Sequence, residues 1–253
     1  MKRFLQTISL SILTLLLTTA CHRDIPVDTL VIDPSSVSLF IGESINVSVS
    51  YYPEDATNLD ELMIYSTNDR IATYQNGIVK GVGSGNAAIT ATCGNVLDQC
   101  FVKVYKDKFL KGGNPYGIDF ATGYLYRMGT ATTQELEITL VHNESHGETQ
   151  NFRVWILNEQ LGQELDFTQA LEGAFVGVYA NNNEDGYFVY SSGEGTPMIV
   201  TADWSFTDAT LTRGILKVDD LQSNRYRIHA DFELSNGYRF STDWEDTANM
   251  KIE

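Results

Sequence analysis

One stretch near the C-terminus limits the fold more than any other. Arg225, Arg227, His229, Asp231 and Glu233 interleave with Tyr226, Ile228, Ala230, Phe232 and Leu234. Only a strand sends successive side chains to opposite faces, so only a strand can bury one of these sets and wet the other. A helix would spread both sets around its circumference. Asn236-Gly237 follows, with the backbone freedom a tight turn needs, and Tyr238-Arg239-Phe240 resumes the pattern as a hairpin partner.

The same period of two recurs along the chain. Leu136, Ile138 and Leu140 alternate with Glu135, Glu137 and Thr139, and Val37, Leu39 and Ile41 share one parity. Ile45, Val47, Val49 and Tyr51 lie opposite Asn46, Ser48 and Ser50, while Phe152–Leu157 is apolar on both faces, as a more buried strand would be. Pro34-Ser35-Ser36, Pro53-Glu54-Asp55 and Asn76-Gly77 punctuate the segments. Thirteen Tyr and twelve Phe with only 20% charged residues belong to the same picture, an all-β chain. Only Asp166–Glu172 could hold a helical turn. The length suits two domains, each with its own core.

The N-terminus addresses compartment. Met1-Lys2-Arg3 precedes an apolar run from Phe4 to Leu17, then Thr18-Thr19-Ala20-Cys21, a pattern of secretory signals that is too short for a stable span. It resembles a bacterial lipoprotein signal peptide, although Thr18 stands where that pattern has Leu and Leu17 lies one step back. The resemblance implies removal of residues 1–20, a lipid on Cys21, a tether over 21–27 and attachment to the cell envelope as an outer-membrane lipoprotein. Cleavage would take Lys2 and Arg3 and no acid, making the net charge of −16 two units more negative. Such a charge excludes nucleic acid as a partner, since phosphate binding needs clustered cations, and leaves the lipid to hold the membrane. His22-Arg23-Asp24 carries a single acid after the cysteine, so display on the outer surface remains an expectation. Export also means an oxidising compartment, and with Cys21 assigned to lipid the remaining Cys93 and Cys100 are expected to form a disulfide across a hairpin.

Residues 28–105 resemble the bacterial Ig-like domain group 2. The likeness runs through Tyr65-Ser66-Thr67-Asn68-Asp69, Ile71-Ala72-Thr73-Tyr74, Asn76-Gly77-Ile78-Val79 and Gly81-Val82. It continues through Gly85, Ala87-Ala88-Ile89, Ala91-Thr92 and the closing Phe101-Val102-Lys103-Val104. Tyr65 replaces the family's usual Trp and is expected to plug the core. The resemblance implies an Ig-like β-sandwich acting as stalk or adhesion module.

Lys-rich residues 106–115, ending in Gly112-Gly113-Asn114-Pro115, read as a linker. Residues 116–253 are expected to form a second β-sandwich or barrel-like domain. Their aromatic-Gly opening and closing hairpins loosely resemble β-rich modules of Bacteroidetes lipoproteins.

Chemistry-bearing motifs are sparse. Gly81-Val82-Gly83-Ser84-Gly85 has the wrong spacing for a nucleophile elbow. His142 and His146 suit a polar loop better than a metal site, and Asn181–Gly186 matches only half of a calcium loop before Ser192. Asp243, Glu245 and Asp246 in so acidic a chain read as a solvated strand end instead of a glycosidase pair. The expectation is therefore a binding protein without metal, cofactor or catalytic residues. Flat aromatic rings are the best binding candidates: Trp155, Trp204, Trp244, Tyr187, Tyr190 and Tyr238. Rings of this size are also normal core residues of sandwiches. The partner would be a protein or a glycan at the cell surface.

Overall fold

The computed structural model describes residues 24–128, 133–143, 149–180, 185–191, 193 and 196–253. Cys21, the signal segment, His146 and Asn181–Glu184 lie outside the described residues. The chain divides into two compact units. The first runs through Val37 and adds Ser44–Lys80 and Asn86–Val102; the second takes Ser38–Glu43, Gly81–Gly85 and Lys103–Glu253.

The N-terminal part carries nine strands: β1 Thr29–Asp33, β2 Ser36–Phe40, β3 Ser44–Asn46, β4 Ser48–Tyr52, β5 Met63–Ser66, β6 Ala72–Gln75, β7 Ile78–Gly81, β8 Gly85–Cys93 and β9 Val96–Tyr105. They form sheets ordered β1-β4, β2-β9-β8-β5 and β3-β7-β6. Alternation explains the burial: Leu30 and Ile32, then Ile89 and Ala91, then Cys100 and Val102 point inward with at most 5% exposure. The Asn76-Gly77 turn joins β6 to β7 with both residues at positive φ, 50° and 80°, as a two-residue hairpin of this kind requires.

Four expectations for this region need correction. The tether ends earlier than expected, because the Ile25 N–H donates to Thr57 Oγ1, the Val27 N–H donates to Asn58 Oδ1, and Val27 is buried. Tyr65 is 47% exposed, so it is not a core plug. Cys93 and Cys100 are both buried free thiols. Gly94-Asn95 turns the chain immediately after Cys93, whereas Cys100 lies several residues along β9; the two are offset along the hairpin instead of opposed. Finally, residues 106–115 are not a linker: Lys108–Lys111 and Asn114–Gly117 pair as a hairpin, and the first of these strands also pairs with Ser241–Asp243.

The second part continues with β10 Lys108–Lys111, β11 Asn114–Gly117, β12 Phe120–Met128, β13 Thr133–Asn143, β14 Thr149–Leu157, β15 Glu164–Asp166, β16 Ala174–Ala180, β17 Gly186–Ser191, β18 Met198–Thr201, β19 Leu211–Asp220, β20 Arg225–Leu234, β21 Arg239–Thr247 and β22 Asn249–Ile252. Six strands form one sheet, β11-β10-β21-β20-β19-β15, and seven form the other, β18-β17-β16-β14-β13-β12-β22. Their inner faces share one core. Ile138, Phe152, Val154 and Val176 from the larger sheet pack with Leu216, Ile228, Phe232 and Phe240 from the smaller, all fully buried. The domain is therefore a sandwich and not a barrel. The 225–240 hairpin forms, with Phe232 opposite Phe240 and their rings stacked 5.0 Å apart, but its loop is three residues, 235–237, one longer than a two-residue Asn-Gly turn. Asp166–Glu172 contributes no helix; among the described residues the helical pieces are single 3-10 turns at Leu59–Glu61 and Asn158–Gln160. No helix of the described residues is long and apolar enough to cross a membrane.

Candidate functional site

The two outer faces of the C-terminal sandwich differ sharply. On the six-stranded sheet the outward residues are ionic. Asp231 meets Arg213 at 2.8 Å and Arg239 at 3.1 Å, Glu245 meets Arg225 and Arg227 at 3.0 and 2.7 Å, and His229 contacts Asp243 at 2.5 Å. The Arg227 hydrogen bond holds the Glu245 carboxyl below its ordinary pKa, so it is a bound carboxylate and not a proton donor. This is how a solvated sheet face ordinarily looks.

The outward face of the seven-stranded sheet is aromatic. Pairing sets Glu137 opposite Trp155, Trp155 opposite Phe175, Phe175 opposite Tyr190 and Tyr190 opposite Met198, one row across five strands. The next row runs Arg153, Gly177, Phe188 and Val200. Together these side chains and Trp204 line a cradle of about 400 Å³. Gly177 makes room for the rings: a Cβ there would fall 2.2 Å from the Phe188 ring. Phe188 thus lies flat on its neighbours, stacked with Phe175 at 5.4 Å and with Trp204 at 4.9 Å.

Trp204 caps this stack. One ring face rests on Phe188, yet the residue is 62% exposed. It sits just past the edge strand β18, in a turn closed by the Thr201 N–H to the Ser205 carbonyl and by the Trp204 N–H to the Thr201 carbonyl, 2.9 and 2.8 Å. Asp203 ties the turn from within, accepting from the Thr201 hydroxyl and from the Ser205 N–H. These bonds, the Thr201 hydroxyl first, hold the Asp203 carboxyl below its ordinary pKa. Trp204 itself has φ +66°, a left-handed conformation costly for so bulky a residue. A turn this well bonded can hold such a residue in place.

The charged part of the cradle is a single pair. Arg153 meets Glu137 at 2.6 Å and lies 6.0 Å from the Phe175 centroid. Burial opposes its charge, but the hydrogen bond and charge of Glu137 outweigh this and raise its pKa. Its Nε–H is enclosed and donates to no protein atom. An enclosed donor without a partner costs free energy.

Of the residues singled out from sequence, Trp155, Tyr190 and Trp204 come together here. Trp244 does not: it is 4% exposed, opposite Ile228 in the core. It shares the inward face of β21 with Phe240. Tyr187 belongs to another cluster, its ring against Tyr238 at 4.7 Å and its hydroxyl accepting from Asn236 Nδ2. Tyr238 is packed there too, and burial drives its pKa far upward. His142 lies on Gly117, its Nδ1 2.9 Å from that carbonyl. Glu137, Arg153, Phe175, Phe188, Met198 and Val200 escaped sequence reasoning. Their parity was legible, but the skip from β14 to β16, past β15, was not.

Residues 26–104 match the family of bacterial Ig-like domains, group 2. Among solved structures, the chain is similar to domains 5-6 of the S-layer protein SbsC at 13% identity, covering 88% of this chain and 99% of that one, with a TM-score of 0.29. Domains 4-9 of the surface layer protein SbsC give 14% identity, 90% and 32% coverage and a TM-score of 0.27. Scores this low bear on neither fold nor function. No curated protein matches the chain.

Proposed function

We propose that this chain is a lipid-anchored cell-envelope protein, held through Cys21 at the outer membrane, whose Ig-like domain is a stalk or adhesion module and whose C-terminal sandwich is a non-enzymatic binding module. The leader and its cysteine motivate the anchor, and the domain matched at 26–104 motivates the stalk. The single observation that carries the binding role is the aromatic cradle. A sheet face open to water ordinarily looks like the ionic face of the partner sheet, not like a row of stacked rings.

The cradle favours a glycan over a protein as ligand. A stable protein interface is a broad patch of about 800 Å² on each partner, whereas this site is a concave cleft whose volume of about 400 Å³ falls in the range of small-ligand pockets. Sugars present an apolar C–H face to the electron-rich face of an aromatic ring and hydroxyls at their edges. Trp204 offers such a ring face, and the Glu137 carboxylate and the partly exposed Arg153 guanidinium lie beside it. The ion pair is net neutral, which suits uncharged sugars.

Binding of the full chain to an array of surface glycans tests this role. Signals that vanish in Trp204→Ala are expected; an array without signal would remove the glycan reading.

A further inference from the structure

The aromatic row does not end at the cradle. Across β12, Tyr124 lies opposite Glu137 and shares its outward face, and on the last strand Lys251 lies opposite Tyr124. The Tyr124 and Tyr126 rings are stacked at 5.9 Å, and the Lys251 ammonium is 5.6 Å from the Tyr124 centroid. Both tyrosines are half-buried and outside the cavity that defines the cradle. One row of side chains therefore crosses all seven strands of the sheet, from Met198 to Lys251.

Length follows from strand spacing. Neighbouring strands lie about 4.8 Å apart, so Tyr124 and Tyr190, four strands apart, are separated by about 19 Å. A pyranose unit in a linear chain advances by about one such spacing, roughly 5 Å. The polar pair Glu137–Arg153 sits between the tyrosine stack and the cradle rings, where hydroxyls of a middle unit would need a donor and an acceptor.

Resting on the glycan reading above, we infer that the ligand is a neutral linear oligosaccharide of about four or more units, lying across the strands from the Trp204 cradle to a second stacking site at Tyr124 and Tyr126. Only a chain can touch both sites; a single sugar or a disaccharide fills the cradle alone.

Calorimetry on the full chain tests this with neutral β-1,4-linked gluco-, manno- and xylo-oligosaccharides and α-1,4-linked gluco-oligosaccharides of two to six units. At least one series is expected to bind with affinity rising about tenfold between two and five units, the gain of a further stacked ring. Tyr124→Ala and Tyr126→Ala should abolish that gain and leave disaccharide affinity unchanged. Retained disaccharide binding and thermal midpoint would show that each variant folds, and Tyr124→Phe should keep the gain. Binding that Trp204→Ala abolishes but that does not grow with length, or a gain that survives both alanine variants, overturns the second site and leaves the cradle. No binding by any series at any length overturns both.

Discussion

Trp204 combines exposure, stacking on Phe188 and a left-handed backbone held by its own turn. Trp204→Ala should weaken glycan binding about tenfold or more, the loss of one stacking ring at about 1.4 kcal/mol. Because the ring is mostly exposed, the thermal midpoint should barely move, which separates a binding residue from a core one. Asp203 adds a pH dependence. Its folded pKa lies below the ordinary 3.8, so its hold on the turn is complete above that value and fades as pH falls through the lower folded one. Affinity measured from pH 8 to pH 4 should therefore show no step from this group, with a fall only in stronger acid. Asp203→Asn should weaken binding even at neutral pH. Cys93 and Cys100 give a third expectation: burial raises both thiol pKa values, with Glu61 and Asp60 adding at Cys93 and Asp98 at Cys100. Neither thiol should react with iodoacetamide until the chain is unfolded, and non-reducing peptide maps should show no link between them. At this scale the sequence was only half legible. Parity tells which face a ring takes but not whether that face is covered, so Trp155, Trp204 and Trp244 looked alike until the register of each strand was known.

Strands and their connections were read more securely than side chains. The alternation over 225–234 and the Asn236-Gly237 signal locate a hairpin, and the structure closes it with a three-residue loop, 235–237, because a two-residue turn would set Phe240 opposite Glu233 and away from the face of Phe232. Phe232→Ala should accordingly cost about 3–5 kcal/mol in a denaturation experiment. Lys108–Lys111 misled for a physical reason. Its lysines and the following Gly112-Gly113 are linker-like in composition, yet Phe109 is fully buried and the strand extends a sheet whose next member lies some 130 positions away. Pairing at that distance leaves no local trace. Gly177 is a comparable case inside β16: its missing side chain is what lets Phe188 stack with Phe175. Gly177→Val should displace the Phe188 ring and remove ligand binding, while the inward strand face, lined by Val176 and Val178, is left intact.

For the molecule as a whole, the proposed lipid anchor at Cys21, the Ig-like domain matched at 26–104 and the C-terminal sandwich make up the proposed tethered binder. The proposed anchor predicts that a palmitate analogue labels the native chain in bacteria and that Cys21→Ser abolishes the label. Net charge of −16 makes self-association and polyanion binding unfavourable, and the neutral Glu137–Arg153 pair predicts glycan affinity that changes little with salt. The place of the Ig-like domain was legible from turn spacing and family likeness, but the contrast between one ionic and one aromatic outer face was not, since it depends on which strands share a sheet. That contrast is the centre of the functional reading. Titrating the full chain with neutral linear oligosaccharides, beside Trp155→Ala and Trp204→Ala variants, tests it directly. Saturable binding in the native chain, weakened at least tenfold in each variant with folding unchanged, is the expected result. Equal affinity in all three, or no binding in the native chain, would contradict it.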